Sequence, residues 1–305
     1  MTDANLKAAH EREVGPGPAG PPASRRPLRR IGSFLLAKPE STIAIVAIAL
    51  SVYFALANQA FLTTTNIRVI SQYLIATAIL ATGQAMLLIC AEIDLSMGAV
   101  YYMAPFLLFF AHEAGLPLPV AVVVAVLGAG VIGAVNATIT IRAGIPSFIV
   151  TLGMMLLVGG LTLNLSNGFP KRAPSEGLAA AIFGGVAFSG LAWVIVIVVF
   201  MHIVLTKTRW GVYTIAIGGN PMGAREAGVP ANRIRMRNFV VAAMLAGFAG
   251  IIEGIRIGSF DPGAAVVGDR VFQAVAAAVI GGTVLTGGAG TVIGAFLGAL
   301  VLGLW

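Results

Sequence analysis

Long apolar runs separated by short polar stretches dominate this chain. Charge-free runs near the length that crosses a bilayer fall at about residues 41–58, 69–91, 98–112, 117–141, 147–166, 188–206 and 238–255. A further uncharged segment extends from Val271 to Trp305. The pattern predicts an all-α fold, a polytopic membrane helical bundle of about eight to ten transmembrane helices, some of them short or broken.

The last apolar segment is too long for one span. As a single helix it would measure about 52 Å, against a hydrocarbon core of about 30 Å. We expect two short helices broken at Leu285–Gly290 (LTGGAG). At a shift of 190 residues Leu95-Ser96-x-Gly98 aligns with Leu285-Thr286-x-Gly288, which suggests an internal repeat. The expected structural glycines are Gly98, Gly281, Gly282, Gly287 and Gly288.

Composition supports a membrane protein and excludes several other classes. The sequence is 58% hydrophobic and 10% charged, with a net charge of +7. The basic residues cluster in the N-terminal tail and between the spans, so lipid headgroups and topology explain them without nucleic acid. Cys90 is the single cysteine, and the histidines are scattered. We therefore expect no disulfide, no metal site and no catalytic triad.

The distribution of charge predicts two regions and an orientation. Residues 1–40 are polar and rich in Pro, Gly and Arg, which predicts a disordered basic cytoplasmic tail. Residues 41–305 form the transmembrane domain. Six predicted crossings return the chain to the cytoplasm at residues 207–237, where six basic residues face one acidic residue from Lys207 to Arg237.

This cytoplasmic segment contains signals for a short helix. Asn220 suits the N-cap and Pro221 the first helical position, and Gly228 with Pro230 suits the stop. The helix, Pro221 to Ala227, is too short to be stable alone, so we expect it to rest on neighbouring structure. Two interpretations remain open: a docking knob for a partner, or a basic loop with one helical turn.

A carboxylate lies between the second and third spans, in the stretch Ala91-Glu92-Ile93-Asp94-Leu95-Ser96-Met97-Gly98. Asp94 at the bilayer centre would cost about 2.5–3.5 kcal/mol on insertion scales. Either this is a functional intramembrane carboxylate, or Asp94 or Ser96 caps the next helix in a cytoplasmic turn.

Four blocks follow one another in a recognisable order. They are AEIDLSMG at 91–98, the region from Gly133 to Gly153 with Asn136 and PSFIVTLG, the coupling stretch from Gly219, and GGTVLTGGAGTVIGAFLGALVLG at 281–303. Together they cover about residues 60–305 and resemble bacterial ABC-type sugar permeases, the ribose/xylose/arabinose family. The sequence departs from the family pattern at Ala91, Glu92, Ser147, Val284 and Ala289.

The resemblance implies a function and its partners. The chain would be the permease subunit of a bacterial ATP-driven ABC importer in the inner membrane, translocating a monosaccharide delivered by a periplasmic binding protein. Permeases of the family work in pairs, here expected as a homodimer. The chain would be no enzyme and hold no cofactor, since a partner ATPase binds ATP and Mg²⁺. The residues expected to couple to that ATPase are Asn220, Ala224, Arg225, Glu226, Ala227 and Gly228.

A polyol crossing the membrane needs hydrogen-bonding groups without fixed charge. The candidates for the substrate path are Asn136, Thr151 and Asn164, with Asp94 and Ser96. The alternative is that these groups hold helices together, at about 0.6 kcal/mol per bond.

Three other functions remain open from the sequence. One is a branched-chain amino acid permease of the same superfamily. Another is an ion-coupled secondary transporter with Asp94 or Glu253 as carrier. The third is a structural protein or inactive truncated paralogue, because the chain ends at Trp305 inside an apolar segment, where family members continue for another span.

Overall fold

The computed structural model describes residues 39–174, 176–186, 188–265 and 269–304. Within them the α-helices are α1 Pro39–Ala57, α2 Thr64–Ile89, α3 Met97–Glu113, α4 Leu118–Ala143, α5 Ser147–Ser166, α6 Gly177–Ala180, α7 Ser189–Lys207, α8 Arg209–Gly219, α9 Pro221–Glu226, α10 Ala231–Ile257, α11 Asp269–Ile280 and α12 Val292–Leu304. Strand β1, Lys171–Arg172, pairs antiparallel with β2, Ser259–Phe260. The predicted helical bundle is confirmed. The predicted tail lies outside the described residues, except that Pro39 and Glu40 begin α1.

Six helices in this part of the chain, α1, α2, α4, α5, α7 and α10, are long and apolar enough to cross a membrane. Each overlaps a predicted span. One difference concerns the charged segment 207–237, which the sequence presented as a polar interruption. It is mostly helical, because α8 follows α7 after one residue and α10 begins at Ala231. Arg233 and Arg237 of α10 are exposed, so its first turns extend as a helix with their charges in solvent.

Small residues let the central helices approach closely. Ala242, Ala246, Gly250 and Gly254 recur every four residues on α10 and are all buried. A Cβ atom on Gly250 would overlap the Tyr101 carbonyl oxygen of α3. The glycines of α4 act in the same way, since a Cβ on Gly133 would press on the Phe239 carbonyl of α10. Packing of backbone on backbone therefore holds α3, α4 and α10 together.

Two breaks in the helices meet at the end of the bundle that carries α9. Break 1, residues 90–96, joins α2 to α3, and break 2, residues 281–291, joins α11 to α12. The Gly288 N–H donates a hydrogen bond of 2.8 Å to the Ile89 carbonyl, so the breaks touch. The shift of 190 residues thus aligns two helix–break–helix units that are in contact.

The predicted structural glycines serve the second break. Gly282, Gly287 and Gly288 have positive φ, a conformation that costs glycine little. Gly281 lies against the Gly294 carbonyl, so a Cβ there would overlap α12. Gly98 is buried in α3.

We predict that Gly250→Ala lowers the free energy of unfolding by about 1–3 kcal/mol, because its methyl group would overpack the contact with α3. Thermal unfolding of the purified protein in detergent measures the change. Gly160→Ala on α5 is the matched control, since a Cβ there has no heavy atom within 4 Å. Equal loss of stability in the two variants would contradict the proposed close packing.

Candidate functional site

The short helix α9 forms as the sequence predicts. Asn220 Oδ1 accepts a hydrogen bond of 2.9 Å from the Gly223 N–H, which satisfies one free donor of the first turn. Gly228 follows the helix with φ of 74°, as expected for a C-terminal stop. The helix ends at Glu226, one residue before the predicted Ala227.

The two faces of α9 differ in character. Ala224 is buried in a small apolar cluster with Cys90 after α2, Ile217 of α8 and Ile234 of α10. Met222 is 74% exposed. Met222 was not among the predicted coupling positions, of which five are exposed: Asn220, Arg225, Glu226, Ala227 and Gly228. The helix therefore rests on three neighbours and presents a sulfur side chain and two opposite charges outward.

A buried amide joins the elements around α9. The Asn238 side chain of α10 accepts a hydrogen bond of 2.7 Å from Trp210 Nε1 of α8. Its Nδ2 group donates to the Met86 carbonyl of α2 at 3.2 Å, and lies 3.3 Å from both Cys90 Sγ and Thr214 Oγ1. The sequence reasoning missed this residue. An amide at the start of an apolar run was the only signal, and its partners lie far away in the sequence.

Break 1 is held by its own polar side chains and by Asn136 of α4. The Asp94 carboxylate accepts hydrogen bonds from the Ser96 N–H at 2.8 Å and the Ser96 hydroxyl at 2.6 Å. Asn136 Nδ2 donates to Ser96 Oγ at 2.8 Å and to Asp94 Oδ2 at 3.4 Å. All three side chains are buried. Ser96 takes the N-cap position of α3 without a side-chain capping bond, so of the two residues considered as caps Ser96 does not act as one.

Helix α5 holds the same break through two hydroxyls. Ser147 Oγ accepts from the Ile93 N–H at 3.2 Å, and Thr151 Oγ1 accepts from the Leu95 N–H at 3.0 Å. Asn164 is exposed near the other end of α5, about 25 Å from Ser147 along the helix. The structure thus brings Asp94, Ser96, Asn136 and Thr151 together and leaves Asn164 apart.

The departures from the family pattern at break 1 have local partners. Ala91 adopts a left-handed conformation with φ of 59°, which is uncommon outside glycine. Glu92 is mostly buried, and its carboxylate lies 3.3 Å from Arg235 Nε of α10. The Glu92 and Arg235 side chains therefore join break 1 to α10, the helix that follows α9.

The remaining charged candidate is also paired. Glu253 accepts two hydrogen bonds from Arg256, at 2.7 and 2.9 Å, as their spacing on one helix predicted. With Asp94 bonded to Ser96, both carboxylates considered as ion carriers are engaged. No group of three His, Cys, Asp or Glu side chains able to hold a metal occurs among the described residues.

We predict that Asn136→Ala lowers the free energy of unfolding by about 1–3 kcal/mol, because it removes donors from a buried carboxylate and hydroxyl. Denaturation of the purified protein tests this. Asn164→Ala, on an exposed position, should change stability by less than about 0.5 kcal/mol. Similar losses in both would argue against a buried polar cluster at break 1.

Comparisons with known proteins agree with this arrangement. A family model described as "Branched-chain amino acid transport system / permease component" matches residues 66–305. The chain is 36% identical over 271 residues to the "Xylose/arabinose import permease protein XylH" of Sulfolobus acidocaldarius, covering 86% of this chain and 75% of that protein. It is 34% identical over 251 residues to the "Ribose import permease protein RbsC" of Escherichia coli K12, covering 80% and 77%.

A third relative, the "Fructose import permease protein FrcC" of Rhizobium meliloti, is 28% identical over 291 residues, covering 91% of this chain and 80% of that protein. No solved structure matches the chain. The family model spans break 1, α9 and break 2, where the geometry is most specific. The chain therefore belongs to the family of branched-chain amino acid transport system permease components.

Proposed function

We propose that this chain is the permease subunit of an ATP-driven importer of a monosaccharide. The observation that carries the proposal is α9, a capped helix with one buried face and one exposed face. The names of the relatives, which are import permeases for xylose and arabinose, ribose and fructose, support a sugar as substrate. The permease hydrolyses nothing itself, and the partner ATPase binds ATP and Mg²⁺.

The ATPase docks on the exposed face of α9. Met222 provides an unbranched apolar side chain that adapts to a groove, and Arg225 and Glu226 provide opposite charges that fix the orientation. Movement of the ATPase reaches the membrane through Ala224, which packs on Ile217 and Ile234. A helix of six residues transmits such movement because its neighbours, rather than its own bonds, hold it in place.

Charge gives the orientation of the proposed subunit. The end of the bundle that carries α9 also carries most of the described basic residues: Arg142, Lys207, Arg209, Arg225, Arg233, Arg235 and Arg237. At the opposite end, basic and acidic residues balance. The positive-inside rule therefore favours α9 and the N-terminus in the cytoplasm of an inner membrane. The opposite end then meets a periplasmic binding protein, and a second copy of the chain completes the transporter.

A sugar suits the interior better than an amino acid does. A zwitterion calls for charged groups or helix ends at its site. Asp94 and Glu253 are both engaged by neighbours within the chain. Asn136, Thr151, Asp94 and Ser96 remain candidates for the substrate path, and their bonds to one another support a role in positioning the break. Asn164, which is exposed, remains a separate candidate.

We predict that Arg225→Glu and Met222→Ala each weaken binding of the partner ATPase about tenfold or more, because truncated or reversed contacts at the centre of an interface cost at least about 1.4 kcal/mol. The permease is purified together with its partner ATPase and binding protein. Association and sugar-stimulated ATP hydrolysis are then measured.

Arg142→Glu is the matched control, since Arg142 is exposed at the same end of the bundle but ends α4 rather than lying on α9. It should leave association unchanged. If Arg142→Glu weakens association as much as Arg225→Glu does, the ATPase senses the charge of the whole surface and α9 is not the docking site.

A further inference from the structure

One face of the buried helix α2 carries a line of uncharged polar side chains. Asn66, Tyr73, Thr77 and Gln84 follow one another at spacings of seven, four and seven residues. At 100° per residue, all of them lie within about 20° of Asn66 around the helix, and they extend for about 27 Å along it. That length approaches the hydrocarbon core of about 30 Å. We call these four residues the α2 polar stripe.

The outer half of the stripe lines a cavity. The cavity has a volume of about 620 Å³, within the range of small-molecule sites. It lies between α1, α2, α11 and α12. Asn66, Tyr73 and Thr77 line it from α2, Asn58 from the link before α2, and Gln273 from α11. Every one of these polar groups is uncharged.

The inner end of the stripe is an unpaired amide. Gln84 is fully buried, and neither its Oε1 nor its Nε2 atom has a hydrogen-bond partner among the described residues. Buried amide groups are nearly always bonded, so the Gln84 amide has free capacity to bond water or a ligand. Thr283 of break 2 likewise has a buried hydroxyl without a partner in the described chain.

Tyr73, the second residue of the stripe, is aromatic and lies beside a cation. The Arg270 guanidinium lies 5.8 Å from the centre of the Tyr73 ring and 5.9 Å from that of Tyr101. The apolar face of a sugar ring can pack on an aromatic ring while a guanidinium donates hydrogen bonds to its hydroxyls. Of these three side chains Tyr73 lines the cavity, so a polyol held there would lie beside an aromatic ring.

We propose that the α2 polar stripe is the surface along which the monosaccharide crosses, entering at Tyr73 and bonding in turn to Thr77 and Gln84. This inference rests on the proposed import function and names its path. Hydroxyl and amide groups donate and accept at once, as sugar hydroxyls do, so each bond to water is replaced as the ring advances. The stripe ends at Gln84, five residues before Ile89, whose carbonyl accepts a hydrogen bond from Gly288 of break 2.

The experiment compares two buried threonines of the same helix. Thr77 lies on the stripe, whereas the hydroxyl of Thr82 donates to the Ala78 carbonyl of its own helix at 2.8 Å. Uptake of radiolabelled ribose, xylose and fructose is measured in proteoliposomes with the full transporter. Thr77→Val and Gln84→Leu should lower uptake about fivefold or more, as loss of a hydrogen bond of ordinary strength predicts. Thr82→Val should leave it unchanged.

A second measurement does not depend on transport rates. The native Cys90 is buried, so the unmodified chain provides a blank for labelling by a small polar thiol reagent. Thr77→Cys should be labelled, and sugar with its binding protein should slow the labelling. Thr82→Cys should resist the reagent.

These measurements distinguish failure of the proposed path from failure of the proposed import function. Equal loss of uptake in Thr77→Val and Thr82→Val, or labelling of Thr77→Cys that sugar never slows, overturns the path while the import function stands. Absence of sugar uptake by the wild-type transporter overturns the import function and, with it, the path. Uptake of leucine in place of sugar overturns the assigned chemical class.

Discussion

The close contact of three backbone segments at the α9 end of the bundle is the constraint on which the rest of the structure depends. Gly218, at the end of α8, lies so close to the Ile89 carbonyl and the Gly288 N–H that a side chain cannot be placed there. The Gly288 N–H bonds the same Ile89 carbonyl at 2.8 Å. Because no side chains intervene, α8, the end of α2 and break 2 cannot move independently.

This contact places α9 in mechanical connection with the interior. Ala224 packs on Ile217, one residue before Gly218, and Asn238 ties α8 to α2 through Trp210 and Met86. In the proposed transporter, a push on α9 therefore reaches break 1 and break 2 together. The proposed sugar path between α2 and the α11–α12 unit would then change shape when the partner ATPase moves. No long chain of side-chain contacts is needed to connect them.

Hydropathy and helix-capping residues predicted much of the fold because both depend on residues that are close together in the sequence. Each span was visible as an uncharged run, and Asn220 with Gly228 bounded α9 to within one residue. The extent of helix in residues 207–237 was not predicted, since α8 and the first turns of α10 expose their arginines from regular helices. The Asn238 bonds were invisible because the partners Met86 and Cys90 lie about 150 residues away in sequence. The role proposed for Thr77 and Gln84 could not be predicted from the sequence, because it depends on the packing of α11 and α12 beside α2.

In the proposed transporter α9 and the two breaks move as one unit, and the number of sugar molecules imported per ATP hydrolysed tests this most directly. Gly218→Ala leaves the exposed face of α9 intact but forces α8 away from Ile89 and Gly288. For complexes that still assemble with the ATPase, we expect ATP hydrolysis to continue while the sugar imported per ATP falls. A ratio equal to that of the wild type would contradict this account.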